Sequence, residues 1–191
     1  MSNEPRFQEV DKYSKGFTLL ELMVAIAILG ITMMFAAPGF ISLISNNRIS
    51  GATNDYLGAL QLAKAEAAAR VNPVTICKKN AASNACVGGG DWQQGWIVFS
   101  DLNGNAAVDG INDTIILIHE ALDSRITFNG TAGVTDSIVY RPSGFTSITG
   151  AEVLIMCDDR GFADSAKGIL ITITGRGSVM KATETGQATC L

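Results

Sequence analysis

The dominant pattern along the chain is one unbroken apolar run. From Phe17 to Ile44 it reads FTLLELMVAIAILGITMMFAAPGFISLI, 28 residues whose only charge is Glu21. Apolar residues fall on every side of a helical projection, unlike the single stripe of a surface helix. As a helix this run is roughly 42 Å long at about 1.5 Å per residue, enough to cross a hydrocarbon layer about 30 Å thick. After Ser45 the pattern changes. Ile49, Ala52, Tyr56, Leu60, Ala63, Ala67 and Val71 recur every three or four residues, while Arg48, Asp55, Lys64 and Arg70 fall on other faces. This predicts an amphipathic continuation of the same helix, ended by Asn72-Pro73. The predicted spine runs from Phe17 to about Val71 and packs its second half on the rest of the chain.

Beyond Pro73 the pattern is that of strands. Candidates are 74–77, 96–100, 114–119, 125–128, 137–141, 152–157, 169–174 and 178–182, with Ile169-Leu170-Ile171-Thr172-Ile173 the clearest β-branched run. Gly88-Gly89-Gly90, Asn103-Gly104, Asn129-Gly130 and Pro142-Ser143-Gly144 punctuate them as turns. The expected class is α+β: a long N-terminal helical spine, half membrane-type and half amphipathic, packed on an antiparallel β-sheet head.

Composition narrows the function classes. Of 191 residues, 47% are hydrophobic and 17% charged, so apolar material exceeds what one core needs, and the net charge of −4 offers no general match to a phosphate backbone. Ahead of the apolar run lies the polar stretch MSNEPRFQEVDKYSKG, with Lys12 and Lys15 beside it. Basic residues there hold that end in the cytoplasm and send the remainder outward. No small-residue secretory cleavage site follows the run. A carboxylate inside a membrane costs a few kcal/mol, on the order of 2–4, and calls for a partner. If the chain were cut after Gly16, Phe17 would carry a new amine one helical turn from Glu21. That amine could pair with the carboxylate within the chain or from a subunit stacked one step away.

Lys15-Gly16-Phe17-Thr18-Leu19-Leu20-Glu21, followed by Leu22-Met23-Val24, resembles the type IV prepilin processing site. The resemblance implies a pilin fold, cleavage between Gly16 and Phe17 by a prepilin peptidase, N-methylation of Phe17 and an assembly role for Glu21. It also implies that Pro38, flanked by Gly39, marks a place where the helix melts as the subunit enters a filament. The segments expected are a removed leader at 1–16, a hydrophobic transmembrane and assembly helix at 17–45, an amphipathic spine at 46–72 and a disulfide-bonded head at 73–191. The expected location is the bacterial inner membrane, single-pass with the head in the periplasm, and then the extracellular pilus or a periplasmic pseudopilus.

Further along, Pro73-Val74-Thr75-Ile76-Cys77, Trp92-Gln93-Gln94-Gly95-Trp96-Ile97-Val98-Phe99 and Asp101-Leu102-Asn103-Gly104-Asn105 are similar to the FimT/FimU/GspH family of minor pilins and pseudopilins. The cysteines lean toward its FimU-like members, which implies an adaptor joining tip or priming minor pilins to a major pilin shaft. The other members imply a type II secretion pseudopilin or a DNA-binding pilin. For the last, the family's Gly-Arg-x-Arg motif is incomplete: this chain has Gly175-Arg176-Gly177-Ser178, with only Lys181 adding charge nearby. Arg176 and Lys181 are the candidate DNA contacts, and the sequence argues against nucleic acid as the partner.

Export lets Cys77, Cys86, Cys157 and Cys190 be read as two disulfides. Three pairings are possible, and Cys77 with Cys86 and Cys157 with Cys190 are favoured. Asp101, Asn103, Asn105 and Asp109 stand at positions 1, 3, 5 and 9 of a calcium-loop pattern, but Ala106 replaces its glycine and Asn112 its terminal glutamate, so a polar hairpin loop is expected. His119 reads as structural, Trp92 and Trp96 as packing residues, and Asp158, Asp159 and Asp164 as solvated. No catalytic set or cofactor motif is present, and the expectation is a structural and interaction protein.

Overall fold

The computed structural model describes residues 16–162, 165–187 and 189–190, apart from the side chain of Pro38. The polar stretch before Gly16 and Asp164 lie outside the described residues. Two units compose the chain, one ending at Ser42 and one beginning at Leu43.

Helix α1 spans Leu19–Arg70 without a break, Pro38 included. It begins two residues later than the apolar pattern predicts because Thr18 serves as its N-cap: the Thr18 hydroxyl accepts the Glu21 amide at 3.2 Å. It stops one residue early because Val71 turns into left-handed backbone, φ 55°, ahead of Asn72-Pro73. Within the first unit every described side chain from Phe17 to Ser42 is exposed.

In the second unit eight strands follow: β1 Val74–Lys78, β2 Trp96–Ser100, β3 Thr114–His119, β4 Thr127–Gly130, β5 Ser137–Tyr140, β6 Glu152–Cys157, β7 Lys167–Ile171 and β8 Gly177–Lys181. They form the expected antiparallel head as two four-stranded sheets, in the orders β3-β2-β1-β5 and β4-β6-β7-β8. β4 lies two residues later than predicted, because Arg125 and Ile126 turn through a bond from the Ile126 amide to the Asp123 carbonyl. Asn129-Gly130, expected as a turn, closes β4 opposite Ile155 and Leu154. β7 starts earlier and ends at Ile171, because the Gly175 amide bonds back to the Thr172 carbonyl and closes a hairpin at φ 69°.

The helical stripe Ile49, Ala52, Tyr56, Ala59, Leu60, Ala63 and Ala67 is buried in one core with Val74, Ile76, Trp96 and Val98 of the first sheet and Phe128, Leu154, Met156, Ile169 and Ile171 of the second. Four alanines let the helix lie close. The Tyr56 ring then meets Trp92, Trp96 and Phe128 edge-on, at 5.4, 5.1 and 4.8 Å between centroids, an arrangement aromatic pairs prefer.

Each sheet is also covered on its outer face. Cys77, Ile97 and Phe99 pack there with Cys86 and Val108; Val153, Ile155, Cys157, Ala166 and Ala182 pack with Phe162, Leu170 and Cys190. A disulfide sits in each outer cluster. Cys77–Cys86 and Cys157–Cys190 are bonded, with Cα separations of 5.5 and 6.1 Å. Coverage of both faces leaves every residue of β1 and β2 buried, instead of alternating buried and exposed.

Candidate assembly site

The N-terminal end of α1 brings together Gly16, Phe17 and Glu21, while Pro38 lies mid-helix. Gly16 and Phe17 precede the cap, and Phe17 is exposed. The Thr18 carbonyl accepts the Leu22 amide at 3.1 Å, so Thr18 closes the first turn with its hydroxyl and with its backbone. Thr18 and Glu21 stand three apart, the spacing of a capping box. The Glu21 carboxylate is exposed, and among the described residues it has no cationic partner. The large apolar side chains from Phe17 to Ile44 are between 49% and 80% exposed. By length and composition this helix is able to cross a membrane. At Pro38 the ring nitrogen has no hydrogen to give the Met34 carbonyl, and Thr32 returns its hydroxyl to the Ile28 and Leu29 carbonyls at 3.0 and 2.9 Å.

Residues 11–37 match the prokaryotic N-terminal methylation motif, and residues 52–177 match the model of the type II transport protein GspH. The chain belongs to the GspH family. Two crystal structures of the Pseudomonas aeruginosa type IV minor pilin FimU share its fold. The first, in space group P21, aligns with a TM-score of 0.56 at 16% identity over 76% of this chain and 96% of that one. The second, in P65, aligns with a TM-score of 0.53 at 16% identity over 74% and 99%. Comparison with curated protein sequences gives no match. This GspH-family chain is therefore a minor pilin or pseudopilin of the type IV pilus or type II secretion class, with a pilin fold and a structural, non-enzymatic role. Its methylation motif implies processing by the prepilin peptidase, and its family implies filament partners.

The remaining candidates of this subunit are scattered over the head. In the loop after β2, Asp101 is fully buried and its carboxylate is already occupied. It accepts the Thr75 hydroxyl at 2.7 Å and the Asn105 and Ala106 amides at 3.1 and 3.0 Å. Asp109 accepts the Asn103 and Asn105 side-chain amides at 2.8 and 2.9 Å. These bonds knit the loop and tie its start to β1. Arg176 is exposed in the β7–β8 hairpin, while Lys181 ends β8 five residues on, roughly 16 Å along a strand. Charges so spaced do not make one compact phosphate site.

His119 stacks on Trp96, with ring centroids 3.9 Å apart, and its Nε2 lies 3.6 Å from the Asp55 carboxylate. Trp92 is buried and donates its indole N–H to the Val134 carbonyl at 3.0 Å. Asp158, read as solvated, is buried. Its carboxylate takes the Arg160 guanidinium at 2.5 Å and the Ser165 hydroxyl at 3.3 Å, and Arg160 also reaches the Asn46 side chain on α1 at 2.9 Å. Burial raises the Asp158 carboxyl, the bonds from Arg160 and Ser165 outweigh it, and the net direction is down. Sequence reasoning missed this tie because the Gly-rich context of Asp158 suggested a free turn. It also missed the Lys167–Lys181 pair, whose signal was the shared face of two adjacent strands.

Proposed function

We propose that this subunit is an assembly adaptor of the type IV pilus, joining tip or priming minor pilins to the major pilin shaft. On this reading the leader at 1–16 is removed between Gly16 and Phe17, and Phe17 is N-methylated. The apolar helix at 17–45 holds the subunit in the inner membrane with its head in the periplasm, then moves into the filament core. The observation that carries the reading is the exposed apolar surface from Phe17 to Ile44 with the single carboxylate of Glu21 at its start. That carboxylate meets a terminal amine of its own or a neighbouring subunit, and the pairing sets axial register. Pro38 gives the helix a weak point at which to unwind as neighbouring helices close around it. Shared fold with FimU and the two disulfides support the pilus over the pseudopilus.

The test is deletion of the gene, with surface pili and type II secretion scored side by side, and complementation by Glu21→Ala. The expected outcome is loss of surface pili with secretion intact, restored by the natural chain and not by Glu21→Ala. Normal piliation with lost secretion would replace the reading with a GspH-like pseudopilin. Normal piliation and secretion with lost transformation would replace it with a DNA-binding pilin.

A further inference from the structure

The second sheet ends on an open edge. β8 is the last strand in the order β4-β6-β7-β8, and among the described residues no strand lies beyond it. The phase of its ladder with β7 follows from two bonds: the Thr172 amide to the Arg176 carbonyl at 3.1 Å, and the Ala182 amide to the Ala166 carbonyl at 3.2 Å. Bonded and non-bonded pairs alternate along an antiparallel ladder. Ile169–Val179 and Lys167–Lys181 therefore occupy non-bonded positions. The N–H and C=O groups of Val179 and the N–H of Lys181 consequently point off the sheet, while the Lys181 carbonyl begins the 3-10 turn Ala182–Glu184.

Non-bonded pairs bring opposed Cα atoms to about 4.5 Å, so the Lys167 and Lys181 side chains leave the sheet from adjacent positions on one face. Like charges directly opposite destabilise a sheet. The other described lysines have partners: Lys64 bonds the Thr174 carbonyl, Lys78 pairs with Asp136 and Lys79 with Glu120. Among the described residues Lys167 and Lys181 have none. Lys167 also lines a cavity of about 180 Å³ with Ser50, Thr53 and Asn54 of α1 and Val179 of β8. Val179 is 43% exposed.

We propose that the outer edge of β8 docks an acidic, extended segment of a neighbouring filament subunit. The N–H and C=O of Val179 and the N–H of Lys181 pair with the incoming strand, its carboxylates neutralise Lys167 and Lys181, and an apolar side chain covers Val179. The same lysines would attract a nucleic acid backbone. However, the outward Val179 carbonyl accepts a donor, which phosphodiester oxygens do not supply and a peptide backbone does.

This inference rests on the adaptor reading above, and the test separates the two. The full-length chain carries a photo-crosslinking amino acid at Val179 in its own cells, with Ile115 on β3 as the control position. The expected product is an adduct with an acidic segment of another pilin-class subunit, mapped by peptide mass spectrometry. Lys181→Arg retains it, and Lys181→Glu lowers it at least about fivefold. Lys181→Glu also replaces a like-charge pair by an opposite one, so it raises the melting temperature by about 1–3 °C. A merely structural role would move stability and docking together. The proposal is overturned by absence of a subunit adduct at position 179 in piliated cells, by an adduct indifferent to Lys181→Glu, or by an adduct that nuclease removes. If substitution at Val179 lowers the amount of chain, surface filament number in Lys181→Glu decides: a fall supports the docking edge and no change overturns it. Full piliation with Glu21→Ala would remove the adaptor reading, whereas a block by Glu21→Ala without an adduct at 179 removes the docking edge alone.

Discussion

Val71 occupies a left-handed position with φ 55° while its side chain is 73% exposed. A β-branched residue is strained there, and nothing is packed against it in return. Glycine is the residue helix ends prefer at this point. Val71→Gly is expected to stabilise the head by about 0.5–1 kcal/mol, net of the entropy glycine loses, read as a higher melting temperature. Gly95 shows the opposite case. Its φ is 103°, and an added Cβ would come within 2.2 Å of the His119 carbonyl oxygen. Gly95→Ala should therefore separate β2 from the chain after β3 and lower stability by about 2 kcal/mol or more, measured by denaturant unfolding. The helix stop was legible in Asn72-Pro73; the strain at Val71 was not, because handedness is set by where the chain must go next.

Helix and sheets are fastened by a few ties that differ in reach. The Cys157–Cys190 bond spans 33 residues and holds the C-terminal segment to β6, a central strand, while Cys77–Cys86 spans 9. By chain entropy the first contributes about 3.7 kcal/mol and the second about 2.6. Replacing Cys157 and Cys190 by serine should cost more than replacing Cys77 and Cys86, compared by urea unfolding of the two double variants.

Asp123 supplies a second kind of tie, meeting Arg125 at 3.0 Å and Arg48 of α1 at 3.1 Å. The hydrogen bond from Arg125 holds its carboxyl down, from 3.8 to about 2. A carboxyl lowered in the folded state stabilises it fully above the unfolded value of about 3.9. That contribution is lost as pH falls toward about 2. Melting temperature should therefore drop between about pH 4 and pH 2, and Asp123→Asn should flatten the drop. The strands were readable as β-branched runs between glycines, but their sheet membership was not, since each pairing joins segments far apart in sequence.

The whole molecule is an apolar helix segment up to Ser42 and a head from Leu43 that buries its own core. Membrane retention should depend on the first alone. Ile28→Asp places a second charge mid-run, at about 2.5–3.5 kcal/mol in insertion terms, and should release the chain on alkaline extraction, while a head variant such as Val71→Gly stays membrane-bound. The adaptor reading and the β8 docking edge belong to this scale too, because both require surfaces that find no partner in the chain itself.

What the sequence determined by itself is what depends on neighbours along the chain. An unbroken apolar run, a lone carboxylate four residues after Phe17, a three-to-four-residue stripe and β-branched segments between turns specify helix and strands through local geometry. The tertiary structure alone decided which strands share a sheet and why Asp101 and Asp158 are buried. It also set Lys167 opposite Lys181. Those outcomes depend on register across the ladder and on burial from both sides, and a one-residue shift in pairing would have sent the same side chains to the opposite face.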